Sequence, residues 1–124
     1  MASFESRGPR QMLKALQYSR QGLAAAFRFE SSFRLEAYLF LPLAPLAMWL
    51  GNTGIERAML FGSLVLILVV ELLNGAVEAI VDKTTPEFHE LAGRSKDMGS
   101  AAVFLCMLNA AAVWSLILAP RYLG

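Results

Sequence analysis

Two glutamates and an asparagine interrupt a long apolar stretch of the chain, and their spacing places them on one side of a helix. Glu71, Asn74 and Glu78 occupy positions i, i+3 and i+7, which share a face at 3.6 residues per turn. A carboxylate at the centre of a membrane helix costs about 2.5–3.5 kcal/mol on insertion scales. Such residues are expected to face protein, water, a metal or a substrate. This polar stripe, Glu71, Asn74 and Glu78, is the candidate functional site.

The depth of each residue in the polar stripe indicates what chemistry it could support. Glu78 lies one helical turn before Asp82 and so near the membrane surface, where a carboxylate can hold Mg²⁺ together with water and phosphate oxygens. Glu71 lies about 10 Å deeper along the helix, where it could reach the hydroxyl of a lipid headgroup. Asn74 lies between them and could orient either carboxylate. The arrangement favours a site that joins a water-soluble phosphate donor to a lipid acceptor.

Further polar residues near the predicted membrane surface could complete such a site. Lys96 and Asp97 stand just before an apolar segment, close to Gly99. Lysine provides a point charge for a transferring phosphoryl group, and glycine lets the backbone approach phosphate. Alternatively, Lys96 only extends its charge toward water, His89 is an ordinary surface histidine, and Glu30 belongs to a solvated cluster of ion pairs.

The composition indicates one integral membrane domain, residues 1–124. Of the 124 residues 56% are hydrophobic and 17% charged, and the mean hydropathy is +0.50, which is typical of a membrane protein. The net charge of +1 gives no argument for nucleic-acid binding. Neither a P-loop nor a kinase catalytic-loop motif occurs in the sequence, so any chemistry with ATP would use another scaffold.

The first predicted element is an amphipathic helix over residues 9–28. Pro9 suits the first turn of a helix, and basic residues then follow on one face while apolar residues follow on the other. A helix of this kind lies on a membrane surface with its basic side toward anionic headgroups. The alternative is an ordinary helix on a soluble core, but the remaining sequence offers no such core.

Three apolar segments are predicted to cross the membrane, which makes the chain an all-α membrane protein. They cover approximately residues 33–50, 58–81 and 98–119. The first apolar run is short, and Pro42 and Pro45 should distort it. Residues 82–97, between the second and third spans, are predicted to form a hydrophilic loop.

The uneven distribution of lysine and arginine predicts the orientation. Nine of these residues lie around the N-terminal segment or between the second and third spans, whereas only Arg57 and Arg121 lie on the opposite side. Because cytoplasmic segments carry the excess of positive charge, the N-terminus and the candidate site are predicted to face the cytoplasm, where ATP is available. The C-terminus would then lie outside.

Residues 71–103 resemble the signature region of the bacterial integral-membrane diacylglycerol kinases. They contain the fixed positions E-x-x-N-x-x-x-E-x-x-x-D, followed by E-x-H-E-L-x-G-R-x-K-D-M-G-S-A-A. The N-terminal part is also similar to that family, for example at Tyr18. Two positions depart from the pattern: a family arginine aligns with Gln11, with Arg10 one residue away, and Phe88 stands where the family usually has tyrosine.

The resemblance implies a homotrimer in the inner membrane that uses Mg²⁺ to transfer the γ-phosphate of ATP to the primary hydroxyl of diacylglycerol, giving phosphatidic acid. It implies that Glu71 is the general base, that Asn74 supports Glu71, and that Glu30 and Glu78 hold the metal. The implied ATP site consists of Tyr18, Glu30, Glu78, Glu87, His89, Lys96 and Asp97. The implied lipid site consists of Arg34, Glu71 and Ser100.

Other functions are compatible with the same residues. An undecaprenol kinase would use the same scaffold with a polyprenol acceptor, although the length and the E-x-H-E-L stretch favour diacylglycerol. A small transporter or channel would also carry intramembrane glutamates, but it has little use for Lys96 and Asp97 at the membrane surface. A structural subunit would tolerate Glu71→Gln and Glu78→Gln. Whether a neighbouring subunit completes the site stays open.

Overall fold

The computed structural model describes residues 8–84, 87 and 89–123, and this part of the chain forms four helices. They are α1 (Pro9–Phe29), α2 (Ser31–Leu50), α3 (Gly54–Thr84) and α4 (Glu90–Tyr122). The last three are long and apolar enough to cross a membrane. The predicted all-α membrane fold with one additional N-terminal helix is therefore confirmed.

A single residue, Glu30, separates α1 from α2. Pro9 begins α1, none of whose residues is buried, and the helix ends where the backbone of Glu30 becomes extended (φ −109°, ψ 106°). The Arg34 guanidinium donates to the carbonyls of Phe27 and Arg28, at 2.8 and 3.2 Å. These carbonyls lie at the end of a helix, where a cation also interacts favourably with the helix dipole. Arg34 thus stabilises the corner that carries Glu30.

Helix α2 continues through both of its prolines. Pro42 and Pro45 lie inside the Ser31–Leu50 helix, although each lacks the N–H that would bond to the preceding turn. The helix ends at Gly51, whose N–H bonds to the carbonyl of Ala47 at 3.1 Å. The prolines therefore do not interrupt the helix.

The buried core lies where α2, α3 and α4 meet, in the half of the bundle nearer the turn between α2 and α3. Ala47 and Leu60 are fully buried, and the small side chain of Ala47 leaves room for Leu60. Ser63 accepts a hydrogen bond from the Trp114 indole N–H at 3.1 Å and donates to the Leu60 carbonyl at 2.8 Å. A polar pair is therefore satisfied inside an apolar region.

A cluster of polar residues ties the three long helices together at the same end. The Arg121 guanidinium lies 2.6 Å from the Glu56 carboxylate and donates to the Leu50 carbonyl at 2.7 Å. Glu56 also accepts from the Asn52 N–H at 2.9 Å, while its own N–H bonds to Thr53 Oγ1 at 3.1 Å, as in an N-terminal helix cap. We call Asn52, Glu56 and Arg121 the far-end cluster, because it lies at the opposite end of α3 from Glu78.

The prediction of a loop over residues 82–97 is wrong over most of its length. Helix α3 continues to Thr84, and α4 begins at Glu90. The prediction was based on polar residues, which indicate where a chain is expected to leave the membrane. A helix can nevertheless continue into water, because its backbone groups still bond to each other there. The consequence for the site is that Asp82, Lys96 and Asp97 lie on helices.

Candidate functional site

The polar stripe of α3 faces the neighbouring helices. Only 6% of the Glu71 surface is accessible to solvent, and Asn74 and Glu78 are half-buried. Gly75, on the same side of α3, is also buried. The buried face of α3 at this end of the bundle is therefore polar, whereas at the far end it consists of residues such as Leu60 and Leu64.

Glu30 reaches α3 from the corner between α1 and α2. A Cβ atom placed on Gly75 would lie 3.1 Å from Glu30 Cγ and 3.2 Å from its Cδ and Oε1. The Glu30 carboxyl group thus packs on the bare backbone of α3, between Glu71 and Glu78. Gly75 was not predicted as a site residue, although a glycine inside a helix costs about 1 kcal/mol relative to alanine and so suggests a close approach.

Several carboxylates come together around this contact. Glu71 lies within electrostatic range of Glu36, Glu78 and Glu30, and Glu36 was not predicted as a site residue. Burial, followed by the negative charges of Glu78 and Asp82, raises the pKa of Glu30 above its ordinary value. The region carries an excess of negative charge, which favours binding of a cation.

The predicted metal ligands Glu30 and Glu78 supply donors of a suitable kind. Mg²⁺ prefers oxygen ligands and is commonly held by one or two carboxylates together with water and phosphate oxygens. Within residues 8–84, 87 and 89–123, no group of three or more His, Cys, Asp or Glu side chains is placed to hold a metal ion. Two carboxylates fit a metal that takes its remaining ligands from solvent and substrate.

Asn74 bonds to Glu78, one of the two glutamates that it was predicted to orient. Its Nδ2 donates to Glu78 Oε1 at 3.3 Å, one helical turn away, and the described hydrogen bonds do not join it to Glu71. Its Oδ1 is buried without a hydrogen-bond partner among the described residues. A Cβ atom on Gly99 would overlap with this oxygen. Asn74 therefore orients Glu78, and α3 and α4 approach each other closely where Asn74 meets Gly99.

Lys96 forms an ion pair across the two helices. Its Nζ lies 2.8 Å from Asp82 Oδ1, and its charge is also within electrostatic range of Glu78. Lys96 therefore lies near Glu78, one of the two predicted metal ligands. The neighbouring predicted residues Asp97 and Ser100 are exposed on α4.

Among the described residues, the other predicted site residues make no hydrogen bond or ion pair with the polar stripe. His89 Nδ1 accepts from the Leu91 N–H at 3.0 Å and caps the start of α4. Tyr18 and Glu87 are exposed, and in the part of the chain that the structure describes no hydrogen bond or ion pair joins them to the stripe. Arg34 caps α1, as described above. Phe88 lies outside the described residues.

A groove between α1 and α3 opens beside Glu30. Its volume is about 560 Å³, and small residues on both helices, such as Gly22 and Ala26 of α1 and Gly75 and Ala76 of α3, line it. Small side chains keep the two walls apolar and leave the space between them open. An apolar groove with a carboxyl group in its wall suits a molecule that has an apolar body and a polar end.

The fold and the site together define a small helical membrane protein in which carboxylates from separate elements meet beside an apolar groove. Comparison with known proteins identifies the family. Residues 17–118 match the model of the family described as prokaryotic diacylglycerol kinase.

Three curated relatives agree with this match. The chain is 43% identical over 115 residues to a diacylglycerol kinase of Haemophilus influenzae, and the match covers 93% of this chain and 98% of the relative. For a diacylglycerol kinase of Escherichia coli (strain K12) the identity is 44% over 107 residues, covering 86% and 88%. For one of Pseudomonas aeruginosa it is 42% over 111 residues, covering 90% of each chain.

The chain belongs to the prokaryotic diacylglycerol kinase family, and the predicted resemblance is confirmed. Its three apolar helices and its bacterial relatives make it a bacterial membrane protein. Membership of this family also confirms the predicted class of enzyme.

Proposed function

We propose that this protein transfers the γ-phosphate of ATP to the primary hydroxyl of diacylglycerol and releases phosphatidic acid and ADP. The observation that supports this most directly is the contact of Glu30 with α3 at Gly75, which brings a third carboxylate between Glu71 and Glu78. The apolar groove beside it suits an acyl-bearing acceptor. Relatives at 42–44% identity carry the name diacylglycerol kinase.

In this proposal Glu71 is the general base. It is the most buried carboxylate of the stripe, and it lies about two helical turns nearer the middle of α3 than Glu78, where it would meet the hydroxyl of a lipid. Glu71 accepts the hydroxyl proton as the acceptor oxygen bonds to the γ-phosphorus, and the bond between that phosphorus and the ADP oxygen breaks. A positioned base contributes typically about 10²- to 10⁴-fold to the rate.

Glu30 and Glu78 are proposed to hold Mg²⁺, which would neutralise charge on the ATP phosphates when bound. Glu30 can approach because Gly75 has no side chain, and Asn74 fixes the orientation of Glu78 by its hydrogen bond. Lys96 adds a positive point charge for a phosphate group. Tyr18, Glu87, His89 and Asp97 are proposed to contact the nucleotide, and Arg34 and Ser100 the lipid.

We further propose that three copies assemble in the inner membrane with the site on the cytoplasmic side. Many large apolar side chains of the three long helices are exposed in the single chain, among them Leu73, Phe104 and Leu116, and they require lipid or another subunit as a partner. The orientation is supported by the nine basic residues on one side against two on the other.

The proposal is tested by Mg²⁺-dependent formation of phosphatidic acid from ATP and dioleoylglycerol by purified protein in detergent. Glu71→Gln should lower kcat by about 10²- to 10⁴-fold, because the base is lost while the shape is kept. Glu56→Gln is the matched control: it removes a carboxylate at the far end of the same helix and should leave the specific activity unchanged.

The outcomes separate the alternatives. Product from undecaprenol but not from dioleoylglycerol would identify the other acceptor on the same scaffold. Absence of product with both lipids, from an intact oligomer, would refute the kinase proposal. Ion flux in proteoliposomes under those conditions would favour a transporter or channel.

A further inference from the structure

The ion pair between Lys96 and Asp82 joins two helices at the edge of the proposed site. The residues are fourteen positions apart, and Lys96 Nζ lies 2.8 Å from Asp82 Oδ1. The Lys96 and Asp82 side chains remain 42% and 64% exposed, so a soluble ligand can reach them. Among the described residues, the other ion pairs lie within α4 or in the far-end cluster. Asp82 was not predicted as a site residue.

The position of Asp82 determines where the lysine charge lies. Asp82 follows Glu78 by one helical turn, so both project from the same side of α3. A lysine has a flexible stem and three rotatable donors, and at a membrane surface it would otherwise extend into water. Pairing with Asp82 draws the Lys96 ammonium over α3, within electrostatic range of Glu78. One donor is used by Asp82, and two remain for other acceptors.

The charges around the ion pair of Lys96 and Asp82 indicate why the position of the Lys96 ammonium matters. Glu30 experiences the negative charges of both Glu78 and Asp82, so a polyphosphate approaching this region would meet carboxylates. The ammonium held among them offsets that repulsion. Asp82 itself adds a negative charge, but its side chain is 64% exposed, so water and salt screen its effect on a phosphate, whereas the two free donors of Lys96 can contact a phosphate directly. Holding the Lys96 ammonium in place should therefore raise the affinity for ATP by more than the negative charge of Asp82 lowers it.

We propose that Asp82 is a positioning residue for ATP: it holds the Lys96 ammonium beside Glu78, where the two remaining donors contact phosphate oxygens of the nucleotide. This inference rests on the proposed kinase function. It assigns to Asp82 a role in nucleotide affinity that acts through Lys96, and no role in proton transfer.

The test is a double-mutant cycle on the full-length protein with Asp82→Asn, Lys96→Gln and the double variant. Asp82→Asn should raise the KM for ATP by about two- to fivefold, the range expected for an exposed ion pair, with unchanged kcat and unchanged KM for dioleoylglycerol. Asp82→Glu should restore most of the affinity. In the Lys96→Gln background, Asp82→Asn should have no further effect, because its partner is absent.

Glu90→Gln is the control, since it removes the exposed ion pair with Arg94 (3.9 Å) at the start of α4 and should leave the KM for ATP unchanged. An unchanged or lowered KM for ATP in Asp82→Asn would overturn the inference. It would also be overturned if Asp82→Asn raised this KM equally in the wild type and in the Lys96→Gln variant. The affinity of the same four proteins for MgATP, measured by calorimetry, gives the same comparison without turnover. Wild-type protein that makes no phosphatidic acid refutes the kinase proposal, whereas active wild-type protein with an unaffected Asp82→Asn variant refutes only this inference.

Discussion

Gly75 offers the most direct test of the geometry proposed for the metal ligands. In Gly75→Ala the added methyl group would lie 3.1–3.2 Å from three atoms of Glu30, so the glutamate must move by a few tenths of an ångström. Catalytic geometry is sensitive to such shifts, since a misplacement of 1 Å can cost about 10²-fold. We therefore expect the rate to fall by about three- to tenfold, together with a higher Mg²⁺ concentration for half-maximal activity.

The stability of the same variant should change in the opposite direction. Alanine is favoured over glycine inside a helix by roughly 0.5–1 kcal/mol, and the displaced Glu30 side chain is flexible. Gly75→Ala should therefore keep or raise the melting temperature while it loses activity. Gly62→Ala is the matched control, because Gly62 lies on the same helix and a Cβ there meets nothing within 4 Å.

The assay is a Mg²⁺ titration of phosphatidic acid formation, run beside thermal unfolding in detergent. Gly62→Ala should show the gain in stability alone. Glu30→Asp combined with Gly75→Ala should recover part of the loss, because the shorter side chain makes room for the methyl group. Unchanged activity and Mg²⁺ dependence in Gly75→Ala would refute the packing of Glu30 on α3 as the basis of the site.

Three further predictions concern the helix crossing, the acidic corner and the far-end cluster. In Gly99→Ala the added methyl group would overlap with Asn74 Oδ1, so the Asn74 side chain must move and its bond to Glu78 should weaken. The overpacking cost of about 1–3 kcal/mol is partly offset by the preference of about 1 kcal/mol for alanine inside a helix, so denaturant unfolding should show a net loss of no more than about 2 kcal/mol, against a gain in Gly62→Ala. Because the pKa of Glu30 is raised in the folded state, that state binds more protons than the unfolded chain, so without Mg²⁺ the stability should fall as pH rises from the ordinary glutamate pKa through the raised one. Glu30→Gln should flatten this part of the melting temperature–pH curve, and an identical slope in both proteins would contradict the assignment. Arg121→Gln should lower the melting temperature by a few degrees, since it breaks the pair with Glu56, without changing the kcat of the folded protein.

Local patterns in the sequence were sufficient to predict most of the architecture. The helical period placed Glu71, Asn74 and Glu78 on one side of α3, and hydropathy indicated three long helices. Both signals arise from residues close together in the chain, so they can be recognised without knowing how the helices pack. Hydropathy was a poor guide to the ends of α3 and α4, because it reports where the membrane ends and not where backbone hydrogen bonding ends. The homotrimer and the metal stay predictions.

The partners of the site residues depended on how the helices pack. Glu30 lies on Gly75 only because the corner after α1 directs its side chain to α3. Asn74 could have served either glutamate, and the structure joins it to Glu78. Lys96 meets Asp82 because both helices extend beyond the predicted membrane boundary. Residue types and helical faces are local properties of the sequence, but contacts between separate helices also depend on their crossing angles and separations, which arise from the packing of the whole bundle.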